Sequence, residues 1–320
     1  MIINSYEKSS EYLCGETLSN IGYHMKVLVT GANGLLGQHL VKKLLDAGFT
    51  VIATGRGESR LTLPTTESLR YYELDLRNHS GLYQLFIDEV PDIVVHAAAM
   101  TQVDECEQQP ELCSEVNAAA TAHLLVIAEE YSKFFIYLST DFIFDGEKGN
   151  YSEEDPPAPL SWYGLTKLQA ESMVEISDIP WAIVRTCLVY GNTINGTRRN
   201  IITWVKESLE QAKQISVVND QVRTPTYVED LATGILLVIN RQATGVFHIS
   251  GKDTLTPYQM ALATADRLSL NRQLIREVDA TSFSQPGRRP PKTGFVISKA
   301  AKELGFEPLS FEEALNKMFS

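Results

Sequence analysis

The 320-residue chain predicts a doubly wound α/β fold, a parallel sheet followed by a smaller α/β region. Three observations carry that prediction. Short β-branched runs alternate with helical periods through the first 190 residues, as they do when crossover helices wind a parallel sheet. The runs are apolar almost throughout, as strands covered on both faces must be. The first run ends on a glycine-rich turn that opens a helix, at the carboxyl end of a strand where such sheets meet their ligands.

Residues 26–30 (KVLVT) make the first strand. Leu36, Leu40 and Leu44 recur at helical spacing over 35–47, and Gly48 stops that helix. Residues 50–54 are the second strand, 71–76 the third, 82–89 a helix ended ahead of Pro91, and 92–98 (DIVVHAA) the fourth strand. One long helical stretch covers 110–131, and 134–139 (FFIYLS) is the fifth strand. Helix is expected over 163–176 and strand over 181–187, followed by a polar Asn- and Gly-rich stretch over 191–200. A brief strand at 215–218, helices at 228–239 and 258–268, a strand at 245–250 and a closing helix at 311–318 complete the order. The expectation is a Rossmann-type dinucleotide-binding domain over 25–190. A smaller, mainly substrate-binding α/β domain over 191–320 lends segments back to it.

The net charge of −12, from 28 basic and 40 acidic residues, disfavours a nucleic-acid backbone as partner. No apolar run reaches the length of a membrane span. Cys14, Cys106, Cys113 and Cys187 form no C-x-x-C pair and have no histidine cluster beside them. They read as buried thiols of a cytoplasmic protein rather than metal ligands. Residues 1–24 carry Glu7, Lys8, Glu11 and Glu16 and no apolar core, so they do not read as a signal peptide. They are either an extension without fixed order or residues upstream of a start at Met25. The residues indicate no resident metal, leave Mg²⁺ dependence open and admit a homodimer.

The turn Gly31-Ala32-Asn33-Gly34-Leu35-Leu36-Gly37 spaces its glycines G-x-x-G-x-x-G between strand and helix. Glycines there permit a tight turn and close backbone approach, and the free N–H groups of the helix start attract a pyrophosphate. An acid often ends the second strand of an NAD site. Here Arg56 follows that strand with Arg60 nearby, and an arginine suits a 2′-phosphate. The expected cofactor is therefore NADPH, with NADH kept open by Glu58. Asp75 and Leu76, at the end of the third strand, are placed for the adenine side.

Tyr163 and Lys167 have the Y-x-x-x-K spacing, which puts phenol and ammonium on one helix face. A cation there is expected to lower the phenol's pKa and make Tyr163 a general acid. Thr140, at the end of the fifth strand, can hydrogen-bond a substrate carbonyl. His96 and His248 read as packing groups, and the carboxylates at 153–155 as a solvated loop.

Glycine turn, strand-end hydroxyl and Y-x-x-x-K in this order identify the chain as a member of the short-chain dehydrogenase/reductase superfamily. Over residues 25–317 it resembles the dTDP-4-dehydrorhamnose reductase family. The segments that carry this are VTGANGLLG, HAAA, STDFIFDG, YSEEDPPAP, YGLTKLQAE, RTCLVYG and NDQVRTPTYVEDLA, with 288–299 beside them. The resemblance implies reduction of the C4 keto group of a dTDP-linked sugar. Thr140 would polarise the carbonyl, Tyr163 deliver the proton, and Lys167 hold the nicotinamide ribose. Ala97, Ala98 and Ala99 would line the cofactor, and Asn117 would brace the sheet near the site. Thr101, Val103, Asp141, Leu188 and Arg289 would meet the substrate. Phe142 stands where sugar 4,6-dehydratases have a glutamate, and Leu188 where this family often has tryptophan. Two alternatives are a nucleotide-sugar epimerase and a non-catalytic subunit similar to the β subunit of methionine adenosyltransferase.

Overall fold

The computed structural model describes residues 25–320 apart from 193 and 197, so the N-terminal extension and Cys14 lie outside the described residues. In chain order the main elements are β1 (Lys26–Thr30), α1 (Leu35–Asp46), β2 (Thr50–Gly55), β3 (Leu69–Glu73), α2 (His79–Glu89), β4 (Ile93–His96), α3 (Val103–Gln108), α4 (Pro110–Ser114), α5 (Ala120–Tyr131), β5 (Phe134–Thr140) and α6 (Trp162–Glu175). There follow β6 (Trp181–Thr186), β7 (Val189–Tyr190), α7 (Ile201–Glu210), β8 (Ile215–Val218), β9 (Thr226–Tyr227), α8 (Val228–Arg241), β10 (Gly245–His248), α9 (Pro257–Arg267), β11 (Ile275–Val278), α10 (Ser298–Leu304) and α11 (Phe311–Met318).

Seven strands form one sheet in the order β10-β6-β5-β4-β1-β2-β3, and every pairing in it is parallel. Alternate residues of the strands face opposite sides, so the sheet has two cores. On one side Val29, Val51, Ile136 and Val184 pack with Leu40, Val41 and Leu44 of α1 and Leu231, Ile235 and Val238 of α8. On the other, Leu28, Ile52, Val94, Phe135 and Ile183 pack with α2, α5 and α6. β10 comes from the late part of the chain and closes one sheet edge. The remaining late elements build a smaller core in which α7 and α9 cover the parallel β8–β11 pair. The strand order reverses between the parallel neighbours β1 and β4, and the glycine turn lies at the carboxyl end of β1, where a doubly wound fold opens a crevice.

Several boundaries differ from the sequence expectation. β3 spans Leu69–Glu73, not 71–76, because its partner β2 ends at Gly55, in register with Glu73. The helix expected over 110–131 is interrupted by one π turn at Glu115–Ala119, which turns Asn117 inward. β6 stops at Thr186, and two residues later Leu188 takes a left-handed φ of 39°, a conformation a strand cannot hold. α7 went unread. Its start is fixed by a capping box in which Asn200 and Thr203 exchange side-chain and backbone hydrogen bonds.

Candidate active site

The glycine turn is shaped by backbone contact. A Cβ on Gly31, at φ +73°, would lie 2.8 Å from the Ala98 nitrogen, and one on Gly37 would lie 2.3 Å from the Gly31 carbonyl. Gly34 caps α1 with no side-chain hydrogen bond, and Leu35 and Leu36 begin the helix. Asn33 locks the turn to the chain after β2. Its Nδ2 donates to the Arg56 and Glu58 carbonyls at 3.2 and 3.0 Å and to the Tyr71 hydroxyl at 2.8 Å. Its Oδ1 accepts from the Arg60 amide at 2.9 Å. The Arg56 side chain is exposed beside this clamp. Arg60 instead turns its guanidinium to the Gly196 carbonyl, at 2.7 Å.

Asp75 is held by Arg77, whose Nε and Nη2 donate at 3.0 and 2.8 Å. That guanidinium keeps the carboxyl below its usual range, against the opposing effect of burial. Leu76 is 7% exposed and belongs to the core under α2, so its side chain packs rather than lining a groove.

Beyond β4, Ala97, Ala98 and Ala99 run past the turn. The Ala98 amide donates to Thr30 Oγ1 at 3.2 Å, and that hydroxyl meets His96 Nδ1 at 2.7 Å. His96 Nε2 meets Thr121 Oγ1 at 2.9 Å, and Thr121 donates to the Asn117 carbonyl at 2.7 Å. With Thr30 accepting from Ala98 and Thr121 donating to Asn117, the ring accepts at Nδ1 and donates at Nε2. Burial pulls His96 down to about 3, so it is neutral. Asn117 also grips Met100 through both backbone groups, at 2.7 and 3.0 Å, and donates to Thr166 Oγ1 at 3.2 Å. This one amide ties the chain after β4 to α6, the helix that carries the Y-x-x-x-K pair.

The structure brings the Thr140 hydroxyl to Tyr163 and seats Lys167 on the same strand, at the Leu138 carbonyl. Ser161 caps α6 at the Gly164 amide, 3.2 Å away, and the half-buried Tyr163 ring meets Phe142 edge-on at 5.8 Å. The Lys167 ammonium is buried, donating to the Leu138 carbonyl at 2.6 Å and lying 4.0 Å from the Tyr137 ring centroid. The expected lowering of Tyr163 by Lys167 is not what this arrangement gives. Burial dominates and raises the phenol well above its ordinary value, and the group that lowers it is the Thr140 hydroxyl. Lys167 is itself pulled down to about 7, chiefly by burial.

Asp141 is only 2% exposed, so its side chain does not reach an open groove as a substrate ligand would. It accepts from Thr293 Oγ1 and from Cys187 Sγ at 3.3 Å, with Arg223 Nε at 3.8 Å. Burial raises its carboxyl, and Arg223 is the largest opposing influence. Arg223 also donates to the Pro290 and Pro291 carbonyls at 2.8 and 3.1 Å. Asp141 thus fastens the 290–295 segment over the turn that follows Thr140. The sequence marked neither Arg223 nor Thr293 as part of this lock.

Of the remaining expected contacts, Thr101 is exposed, Val103 packs on Gly287, and Leu188 is 36% exposed. Arg289 grips Asp104 through both nitrogens, at 2.9 and 2.8 Å. It also borders an open pocket of about 400 Å³ with Arg199, Trp204, Gln221, Phe283 and Gln285. The sequence reading missed the pocket because its walls come from four separate stretches of the chain, within 199–204, 216–221 and 283–289 and at Pro257. Glu153, expected in a solvated loop, accepts from the His248 amide at 2.9 Å. His248 stacks on Phe295 at 3.9 Å in the interior. Among the described residues, no group of three or more His, Cys, Asp or Glu is placed to hold a metal ion, and no helix is long and apolar enough to cross a membrane.

A family model described as the RmlD substrate binding domain matches residues 25–320. The probable low-salt glycan biosynthesis reductase Agl14 of Haloferax volcanii is 30% identical over 91% of this chain and 96% of its own. The methionine adenosyltransferase 2 subunit beta of Pongo abelii is 31% identical over 88% of this chain and 82% of its own. Among solved structures, a dTDP-4-dehydrorhamnose reductase of Bacillus anthracis in complex with NADP superposes with a TM-score of 0.81 at 27% identity, covering 92% of this chain and 98% of that one.

Proposed function

The chain belongs to the dTDP-4-dehydrorhamnose reductase family of extended short-chain dehydrogenases, and from that premise we propose that it reduces the C4 keto group of dTDP-4-dehydro-L-rhamnose, or of a closely related nucleotide-linked ketosugar, with NADPH. The observation that carries the reading is the meeting of Thr140 with Tyr163, and of Lys167 with the same strand, at the carboxyl end of β5, two strands from β1 and its glycine turn. The turn suits a dinucleotide, since Gly31 and Gly37 leave no room for a side chain and the start of α1 carries no cap. When bound, a nicotinamide dinucleotide supplies the hydride. The Thr140 hydroxyl donates to Asp141 Oδ1 at 3.2 Å in the free protein and would turn that one donor to the ketone oxygen as charge builds there, while Tyr163 delivers its phenolic proton to the same oxygen. The phenol is protonated at neutral pH, as proton delivery requires, and the Thr140 hydroxyl counters part of the burial effect that makes it a weaker acid. Arg56 favours the 2′-phosphate of NADPH over the free hydroxyl of NADH.

A second reading draws on the similarity to methionine adenosyltransferase 2 subunit beta: the chain would bind a partner enzyme and turn nothing over. The decisive assay supplies purified protein with the coupled product of dTDP-glucose 4,6-dehydratase and its 3,5-epimerase. It then follows oxidation of NADPH and of NADH. Turnover with preference for NADPH is expected. Activity only on another dTDP- or UDP-ketosugar replaces the substrate, and no turnover with any ketosugar favours the regulatory reading.

A further inference from the structure

Lys167 is the buried cation of the site, and its surroundings divide its hydrogen-bonding directions. An ammonium carries three donors and no acceptor. One N–H goes to the Leu138 carbonyl at 2.6 Å, and a second direction is taken by the ring of Tyr137, whose centroid lies 4.0 Å from Nζ. Leu138 and Tyr137 are neighbours on β5, so a single stretch of strand supplies both contacts. The tyrosine hydroxyl is buried and makes no regular hydrogen bond; its polar neighbour is the Thr121 hydroxyl, which already donates to the Asn117 carbonyl. What the position uses is the aromatic face, which attracts a cation most strongly where water is excluded. Tyr137 is fully buried, so the condition is met.

We propose that Tyr137 is a positioning residue for the reduction: its ring face and the Leu138 carbonyl hold Lys167 as an oriented cation with one N–H left for the cleft. The inference rests on reading Lys167 as the cation of a reductase site. The other titratable groups that reach the ammonium are Glu171 on α6, Cys113 on α4 and His96 on β4, with Tyr163 on α6 near Tyr137. Glu171 and Cys113 favour the charged form of Lys167, while burial opposes it and sets the balance at about 7. Glu171 is already engaged, gripping Arg185 at 2.7 and 3.0 Å. His96 is neutral and contributes no opposing charge at neutral pH.

The test follows Lys167 in the free protein, with no substrate or cofactor present. Lysine labelled with ¹³C at Cε gives a resonance for each side chain, and Lys167→Met assigns the one of interest. Tyr137→Phe keeps the aromatic face and should titrate as the wild type does. Tyr137→Leu removes the face, so the cation loses support and the midpoint should fall by at least about half a pH unit. If the leucine variant does not fold, mono-, di- and trifluorinated phenylalanine at 137 drain the ring face at nearly constant shape and should lower the midpoint stepwise. The alkaline limb of kcat/KM should move down by the same amount. An unchanged midpoint in both the leucine and the trifluorinated proteins would overturn the proposal, as would a phenylalanine variant that shifts as far as leucine. Because the titration needs no substrate, inactivity toward the tested ketosugar leaves it standing. An unmoved midpoint in a protein that reduces the ketosugar removes Tyr137 and spares the proposed function.

Discussion

Gly164 rests directly against the backbone of Phe142: a Cβ at 164 would come within 2.1 Å of the Phe142 carbonyl oxygen. That contact sets the distance between the start of α6, which carries Tyr163, and the turn that follows Thr140. Backbone cannot yield as a flexible side chain can. Gly164→Ala should therefore push the helix away from the turn, and a misplacement near 1 Å costs on the order of 10²-fold in rate. Overpacking should also cost about 1–3 kcal/mol of stability. Steady-state kinetics with a urea melt would check both. A variant with wild-type kcat would show that this spacing is not what sets the geometry.

Tyr163→Phe separates proton delivery from binding. Removing the hydroxyl deletes the proposed acid and leaves the ring beside Phe142, so kcat should fall at least about 10²-fold, the range for general acid catalysis. The dissociation constant for NADPH, read by fluorescence titration, should stay near that of the wild type. Residual activity close to normal would assign the proton to another group.

Much of this site was legible in the sequence, for a physical reason. Gly31, Gly34, Gly37, Tyr163 and Lys167 are set apart as candidates by local spacing, which a linear reading preserves. What escaped is held by contacts between distant segments. Thr293 reaches Asp141 across 152 residues and Arg289 reaches Asp104 across 185, and no local pattern marks either pair. Asp141 illustrates the difference: the resemblance implied a substrate ligand, while burial and four side-chain partners, Thr140, Cys187, Arg223 and Thr293, make it a brace. The π turn at Asn117 was hidden for another reason, since its residues carry an unbroken helical pattern.

Arg56 should decide between the two dinucleotides. Asn33 fixes its backbone carbonyl at 3.2 Å, while its side chain is exposed beside the turn. Charge-assisted hydrogen bonds to a phosphate are worth about 1.5–3 kcal/mol, or roughly 10- to 150-fold in affinity. Arg56→Ala should weaken NADPH by a factor in that range and NADH by much less. Equal weakening of the two would remove the 2′-phosphate role and turn attention to the exposed Glu58 beside it.

Acid stability tests the neutral histidine between Thr30 and Thr121. Burial holds His96 at about 3 in the folded protein, against an ordinary 6.5. Between those values the unfolded chain binds the proton and the folded one does not, so stability falls as pH drops through that window. The loss is on the order of a few kcal/mol when complete. Carboxylates and the similarly buried His248 add slopes of their own, so the informative quantity is the difference between proteins. His96→Gln should be less stable than wild type at pH 7, because its hydrogen bonds to Thr30 and Thr121 are lost. It should also lose less stability between pH 6.5 and pH 4, because no imidazole is left to protonate on unfolding. Urea midpoints at half-unit pH steps give both curves, and parallel curves would mean that His96 is already charged in the folded protein.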